Sequence, residues 1–368
     1  MARQANQQNQ ETIETMSQYD HIRLRARMYI GRLGDGTDPN DGIYNFIKEI
    51  VANSIHEFRQ GYGNNIKIVI KDNVASIRDY GRGIPLQHLV DAVSKIEMGG
   101  IGSKYHIPQR IPYGLKVINI LSSEFIARSV RDGEARTVCF ERGIMKDDLW
   151  ETGIEEGSGT FIQFRADEEI FGKYEYHIEL LDSYLQQQVC INRELEIKLN
   201  ERRYKSENGL LDLINNILVG LPLYPPIHLR GENIEVVITH CLGLRQRVIH
   251  SFANSNYTPR GGKHQNALCR AIPKTLSKFY DTKFLMANCC SSLYAAISIW
   301  IEETVFDSRR EELYGGNPTI SKYVGEFIDK ELIEYLSKHP YIAQIIKKEI
   351  MYIKSGTKKS KKYDKSKI

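Results

Sequence analysis

The apolar positions of "GIYNFIKEIVANSIHEFR" recur at Ile43, Ile47, Ile50, Val51, Ile55 and Phe58, which predicts a helix from about Gly42 to Arg59 with one buried face. The other face carries Glu49, Asn53 and Glu57, four residues apart and therefore stacked along the helix. The period then changes. In "NNIKIVIKDNVASIRDYGRGIP", Ile66, Ile68 and Ile70 alternate with Lys67, Val69 and Lys71, "KDN" reads as a hairpin turn, and a second strand ends at Asp79. A helical pattern returns over residues 86–96, and "LKVINIL" starts a buried element at residue 115. Further strands are predicted in "SSEFIARSVRDGEARTVCFERGIM" and "GTFIQFRADEEIF". The first half therefore reads as a mixed α/β layer, closed by a helix near residues 174–188 and a strand pair in "RELEIKLNERRYK". A second unit begins near residue 220. There "ENIEVVITHCLGLRQRVIHSFANS" reads as strands with a turn, "HQNALCRAIPKTLSKFY" as a helix and "SSLYAAISIWIEETVF" as a long buried strand. A last helical stretch, "SKYVGEFIDKELIEYLSKHPYIAQIIKKEI", precedes a lysine-rich end.

Composition narrows the class. The 368 residues are 41% apolar and 26% charged, which is globular material of a length that favours two domains. The net charge of +4 is small, and the segment "YIKSGTKKSKKYDKSKI" carries seven lysines against one aspartate, so the body is nearly neutral. That end reads as a solvated basic tail or as a contact for nucleic-acid phosphates. Six cysteines without metal-ligand spacing suggest neither a zinc site nor a disulfide framework, and reduced thiols in a cytoplasmic protein fit best. The polar start "MARQANQQNQETIETMSQ" has no signal-peptide character, and no apolar run has spanning length, so no membrane partner is expected. The expected division is a disordered arm over 1–18, a first domain over 19–219, a second over 220–353 and a disordered basic tail over 354–368.

The chemistry concentrates in "RDYGRGIP". A carboxylate closing a buried strand and followed at once by glycines suits a flat ligand: Asp79 accepts from an exocyclic amine while Gly81 and Gly83 leave space for close approach. The motif alone reads equally as a strand ending in a glycine turn. Three other pieces accompany it. Glu49 offers a base for water and Asn53 a neutral oxygen ligand for a hard cation. "MGG", ending at Gly100, and Gly114 bound a glycine- and proline-rich loop leading into a helix, where free backbone N–H groups suit phosphate. "GSGT" sets Thr160 at the start of a strand.

In this order the pieces resemble the ATP-binding fold shared by gyrase B subunits, large heat-shock ATPase chaperones, histidine kinases and MutL, known as the GHKL or Bergerat fold. The nearer resemblance is to the ATPase region of bacterial type IIA topoisomerase B subunits, topoisomerase IV above all. It rests on "RARMYIGRLGDG", "KEIVANSIHEF", "RDYGRGIP", "MGG", "VINILSS" and "GSGTFIQFRAD", and continues through "HSFANSNYTPRGGKHQNAL" and "AAISIWIEETVFDS", which look like the ribosomal-protein-S5-like transducer domain. The resemblance implies an α/β (α+β) sandwich of a mixed sheet with helices, followed by that transducer. It implies ATP and Mg2+ as cofactors, with Glu49 as general base and Asn53 on the magnesium ion. Asp79 would receive the adenine amine, helped by Thr160. Gly81 and Gly83 would lie against the base, Arg82, Ile84 and Pro85 would line the rim, and Gly100 and Gly114 would belong to the lid. Implied partners are an A-type subunit, a separate DNA-cleaving half, DNA reached through the complex and a second copy bound in a nucleotide-dependent homodimer.

Several positions depart from the family pattern. Ala52 and His56 replace two aspartates of the catalytic helix, and Ala26 and Arg27 replace Pro-Gly in the first motif. Pro112 takes a lid glycine, and a proline has no N–H to offer a phosphate. Lys104, Arg110 and Lys116 are the nearby cations. In "FDSRREELYGG", Arg309 stands for the glutamine and Glu311 for the lysine of the family's Gln-Thr-Lys loop; a carboxylate there repels a triphosphate, so either Arg309 or Arg310 takes over or the contact is lost. Two readings follow: the ATP-operated clamp of a topoisomerase, or a diverged paralogue acting as a non-catalytic interaction protein.

Overall fold

The computed structural model describes residues 17–95, 114–243, 246–301 and 319–364. The positions of Gly100, Lys104, Arg110, Pro112, Arg309, Arg310 and Glu311 lie outside them. The chain forms two compact units, one of residues 1–182 with 197–202, the other of residues 183–196 with 203–368.

The first unit opens with α1 (Gln18–Leu24) and α2 (Ala26–Ile30), then the long α3 (Gly42–Arg59). Alternating residues make β1 (Asn65–Lys71), whose Ile66, Ile68 and Ile70 are buried while lysines at 67 and 71 are exposed. Asp72 and Asn73, both at positive φ, turn it into β2 (Val74–Asp79), the two-residue hairpin that the alternation implies. The helical pattern after residue 86 is realised as a short 3₁₀ turn and α4 (Leu89–Ser94). Then come α5 (Gly114–Ile120), the meander β3 (Ser122–Arg131), β4 (Glu134–Glu141) and β5 (Ile144–Thr152), and β6 (Gly159–Ala166). The single turn α6 (Glu168–Phe171) follows, then α7 (Asp182–Ile191), β7 (Glu196–Leu199) and β8 (Arg202–Tyr204) where the chain passes between the units. The sheet order is β5-β4-β3-β6-β2-β1-β7-β8, and the pairs from β5 through to β1 are antiparallel.

The buried stripe of α3 meets this sheet. Phe46 stands edge-on to Phe164 of β6 and to Phe171 of α6, both at 5.5 Å between ring centroids. Its start is fixed by the loop before it: the buried Asp41 carboxylate accepts from the amides of Gly36 and Asp38 and pairs with Arg32. Tyr44 donates to the Gly36 carbonyl at 2.6 Å, and Asn45 to the Ile30 carbonyl at 2.8 Å. These bonds set the register in which α3 presents its polar face.

In the second unit, α8 (Leu210–Ile217) precedes β9 (Leu221–Pro222), β10 (Ile227–Arg230), β11 (Ile234–Leu242), β12 (Val248–Ala253) and β13 (Asn256–Tyr257). After them come α9 (Lys263–Phe279), the single turn α10 (Met286–Cys289), β14 (Leu293–Ile299), α11 (Ile320–Lys338) and α12 (Pro340–Asp364). The last helical stretch is thus two helices broken at Pro340, where the ring removes a donor. The strand order is β10-β11-β14-β12-β13, with β9 beside β11. β12 and β14 are parallel, joined across α9, so β11 and β12 are not neighbours. One face packs Val236, Ile238 and Ile297 against α9, α11 and α12; the other packs Val237, Cys241 and Phe252 against α8.

Candidate functional site

Asp79 closes β2 with its carboxylate buried. Oδ1 accepts from the backbone N–H groups of Gly81 at 3.0 Å and Thr160 at 3.1 Å, and Oδ2 takes the Ser54 hydroxyl of α3 at 3.1 Å. Burial pushes its pKa up, and the three hydrogen bonds and the Arg78 charge only partly offset that. Three elements therefore meet at one carboxylate: β2 supplies it, β6 an amide and α3 a hydroxyl.

The glycines are required by space. A Cβ on Gly81 would stand 2.8 Å from the Cβ of Glu57, and one on Gly159 only 2.2 Å from the Asp79 carbonyl. Gly83 has φ +78 and would drive a Cβ to 2.5 Å from the Val130 carbonyl. Beside it the Ile84 carbonyl accepts from Ser129 of β3 at 2.7 Å, and Pro85 caps the 3₁₀ turn. The "RDYGRGIP" loop is thus pinned to β3 on one side and α3 on the other.

The α3 face is half-buried at Glu49, Asn53 and Glu57. Gly114, the first residue of α5 with φ +44, comes close to Glu49: a Cβ there would be 3.9 Å from Glu49 Oε1. Asn119 of α5 donates to the Val93 carbonyl at 2.8 Å, which ties α5 to α4. Glu57 grips the Arg82 guanidinium through Nε at 3.0 Å and Nη2 at 2.9 Å and also accepts from the Arg82 amide. The guanidinium lies over the Tyr62 ring at 4.4 Å. Burial works against the Glu57 charge, but the hydrogen bonds and charge of Arg82 win and hold its carboxyl below the ordinary 4.5.

A folded-state pKa below the unfolded one gives stability that is present above the unfolded value and is lost as pH falls through the folded one. Glu57→Gln is therefore expected to be less stable than the unaltered chain at pH 7, with the gap closing as pH falls below about 4.5. Because Arg82 is partly exposed, the gap should not exceed about 1 kcal/mol; urea unfolding at both pH values measures it.

The structure joins Asp79, Gly81 and Thr160 at one carboxylate, Arg82 to Glu57 of α3 and Gly114 to the neighbourhood of Glu49, and sets Gly83 and Ile84 against β3, with Pro85 capping the next turn and Asn53 on the polar face of α3. Thr160 reaches Asp79 through its backbone N–H rather than its hydroxyl. Sequence reasoning missed Ser54. Its signal was present: a hydroxyl among the apolar positions of α3 must find a partner inside the core. The partner of Glu57 was also unread, since the pairing with Arg82 spans 25 positions of chain.

The sequence profile of DNA gyrase B matches residues 209–366. The B subunit of DNA topoisomerase 4 from Borreliella burgdorferi is 35% identical over 350 residues, covering 93% of this chain and 57% of that protein. The chain thus spans little more than half the length of this relative. Among solved structures, the 43K ATPase domain of Thermus thermophilus gyrase B, in complex with an aminocoumarin, superposes with a TM-score of 0.77 at 21% identity, over 94% of this chain and 97% of that one. The topoisomerase IV ATP-binding domain of Francisella tularensis, in complex with a small-molecule inhibitor, gives 0.76 at 21% identity, over 91% and 96%. The structural likeness speaks for the fold, and over nearly all of its length the chain is similar in sequence to the B subunit of a DNA topoisomerase 4.

Proposed function

We propose that this chain binds and hydrolyses ATP as the clamp-driving part of a type IIA topoisomerase B subunit. The observation that carries the reading is the Asp79 carboxylate. Its Oδ1 is occupied by two backbone donors, while Oδ2 holds one hydroxyl and has lone-pair capacity for another N–H, which an adenine amine supplies. Gly81 and Gly83, which have no room for a Cβ against Glu57 and Val130, hold the loop close to the carboxylate, where their backbone would lie against a flat base with Arg82, Ile84 and Pro85 as the rim.

Glu49 takes the proton of the attacking water, and Gly114, close to Glu49, opens the helix behind the lid that also contains Gly100. Asn53 would help to hold a magnesium ion through its amide oxygen. When bound, that ion neutralises charge on the phosphates. Thr160 fixes the Asp79 carboxylate from β6. The transducer reading belongs to the second unit, in which β14 leads toward residues 302–318. The proposed partners are an A-type subunit, the DNA-cleaving half of the B subunit, DNA through that complex and a second copy in a nucleotide-dependent homodimer. The proposed place of action is the cytoplasm, where a bacterial topoisomerase meets its DNA. No described helix is long and apolar enough to cross a membrane.

Titration with ATP and magnesium, followed by phosphate release, tests the proposal. Saturable binding with turnover is the expected result. Absence of binding at millimolar ATP overturns it.

A further inference from the structure

Cys269 lies in α9 and Cys290 caps the end of α10; both are buried, each with 2% exposure. The Cys290 thiol donates to the Cys269 carbonyl oxygen at 3.8 Å. Neither residue belongs to the nucleotide site. We propose that Cys269 and Cys290 form a reversible disulfide when the protein meets hydrogen peroxide, a covalent modification site that joins α9 to the turn entering β14.

Three observations support it. First, the Cys290 sulfur already lies against Cys269 from a different element, 3.8 Å from its carbonyl oxygen, so movement of one short element brings the sulfurs to the disulfide length of about 2.05 Å. Second, the cover is thin. α10 is a single turn whose Met286 and preceding Leu285 are exposed, 36% and 60%, and opening of such a turn admits a small oxidant without global unfolding. Third, the local charge favours a thiolate. Contact with the Cys290 thiol, together with the Arg247 and Arg270 guanidiniums, brings Cys269 down to about 7 against the cost of burial. The same contact pushes Cys290 up, as does burial. Arg247 sits at this cover, its Nη1 3.9 Å from Met286 Sδ. Cys269 is therefore the attacking sulfur and Cys290 the resolving one.

The chemistry balances. The Cys269 thiolate attacks one peroxide oxygen, the O–O bond breaks, and a sulfenic acid forms while hydroxide leaves and takes up a proton as water. Cys290 sulfur then attacks Cys269 sulfur, the S–O bond breaks, and the hydroxyl leaves as a second water with the Cys290 proton. The two thiols give up two electrons, and the peroxide is reduced to two waters.

The test exposes the folded full chain to hydrogen peroxide, followed by alkylation, tryptic digestion without reductant and mass spectrometry. The expected product joins "HQNALCR" to the peptide beginning "FLMANCC" with loss of two hydrogens, and dithiothreitol reverses it. The link should disappear in Cys269→Ser and in Cys290→Ser and persist in Cys289→Ser. Cys139, the partly exposed thiol, serves as internal control in the unaltered chain, and fragmentation of the linked peptide between Cys289 and Cys290 assigns the bond without relying on any variant folding. Oxidation of Cys139 with Cys269 and Cys290 both still reduced overturns the proposal, as does a link that survives Cys290→Ser.

Discussion

Glu49→Gln is expected to lower the turnover number for ATP hydrolysis by about 10²–10⁴-fold, the usual contribution of a positioned general base. The substitution preserves the length and nearly the volume of the side chain, so α3 and its contact with Gly114 should stand. Nucleotide affinity should therefore change little, because the lost function acts on water and not on the base or sugar. Single-turnover phosphate release beside a binding titration separates the two quantities. Turnover equal to that of the unaltered chain would remove Glu49 from the mechanism and shift attention to other groups facing the phosphates.

Asp79→Asn acts on the other quantity. The amide oxygen of an asparagine would remain on the Gly81 and Thr160 N–H groups, because both are backbone donors with no alternative at that place. Its NH2 would then occupy the position of Oδ2 and donate to Ser54, turning a second donor toward the adenine amine. Loss of a charge-assisted hydrogen bond costs about 1.5–3 kcal/mol, so ATP affinity should fall by roughly tenfold to hundredfold. Stability should move the other way. Burial raises the folded-state pKa of Asp79, so the charged carboxylate opposes folding progressively as pH rises through that value. A neutral side chain removes this opposition at pH 7. Weakened ATP binding in a protein whose melting temperature is equal or higher is the expected signature; unchanged affinity would mean that the base is read elsewhere.

How much of this is legible in the sequence differs by residue. The α3 helix and the β1–β2 hairpin follow from local periodicity, and the Asp72–Asn73 turn from residues that tolerate positive φ. Asp79 with Gly81 and Gly83 is legible because strand end, carboxylate and glycines are contiguous. Ser54 and the Thr160 amide are not, since their meaning lies in a contact across 25 and 81 positions of chain. The pattern over residues 174–188 reads as one helix, yet Tyr174 and Tyr176 are buried in non-helical backbone and pack edge-on at 5.6 Å, with Tyr176 also edge-on to Tyr44. Tertiary packing overrides propensity there. In the second unit the strands are visible, but their order is not: the parallel pairing of β12 with β14 depends on the crossover through α9, which no local signal records. The departures at Pro112 and Glu311 lie outside the described residues and rest on sequence alone.

The antiparallel pairing of β2 with β6 has a kinetic consequence. It joins Val74 to Arg165, and between the two strands the chain completes the β3–β4–β5 meander, whose hairpins close over a few residues each. Loop-closure entropy makes the meander and the β1–β2 hairpin early events and the β2–β6 zipper a late one. The Asp79 carboxylate thus gains its Gly81 amide when the local turn forms, but its Thr160 amide only once the sheet is whole. In refolding, protection of the Thr160 N–H from exchange would mark the moment at which the nucleotide pocket first exists.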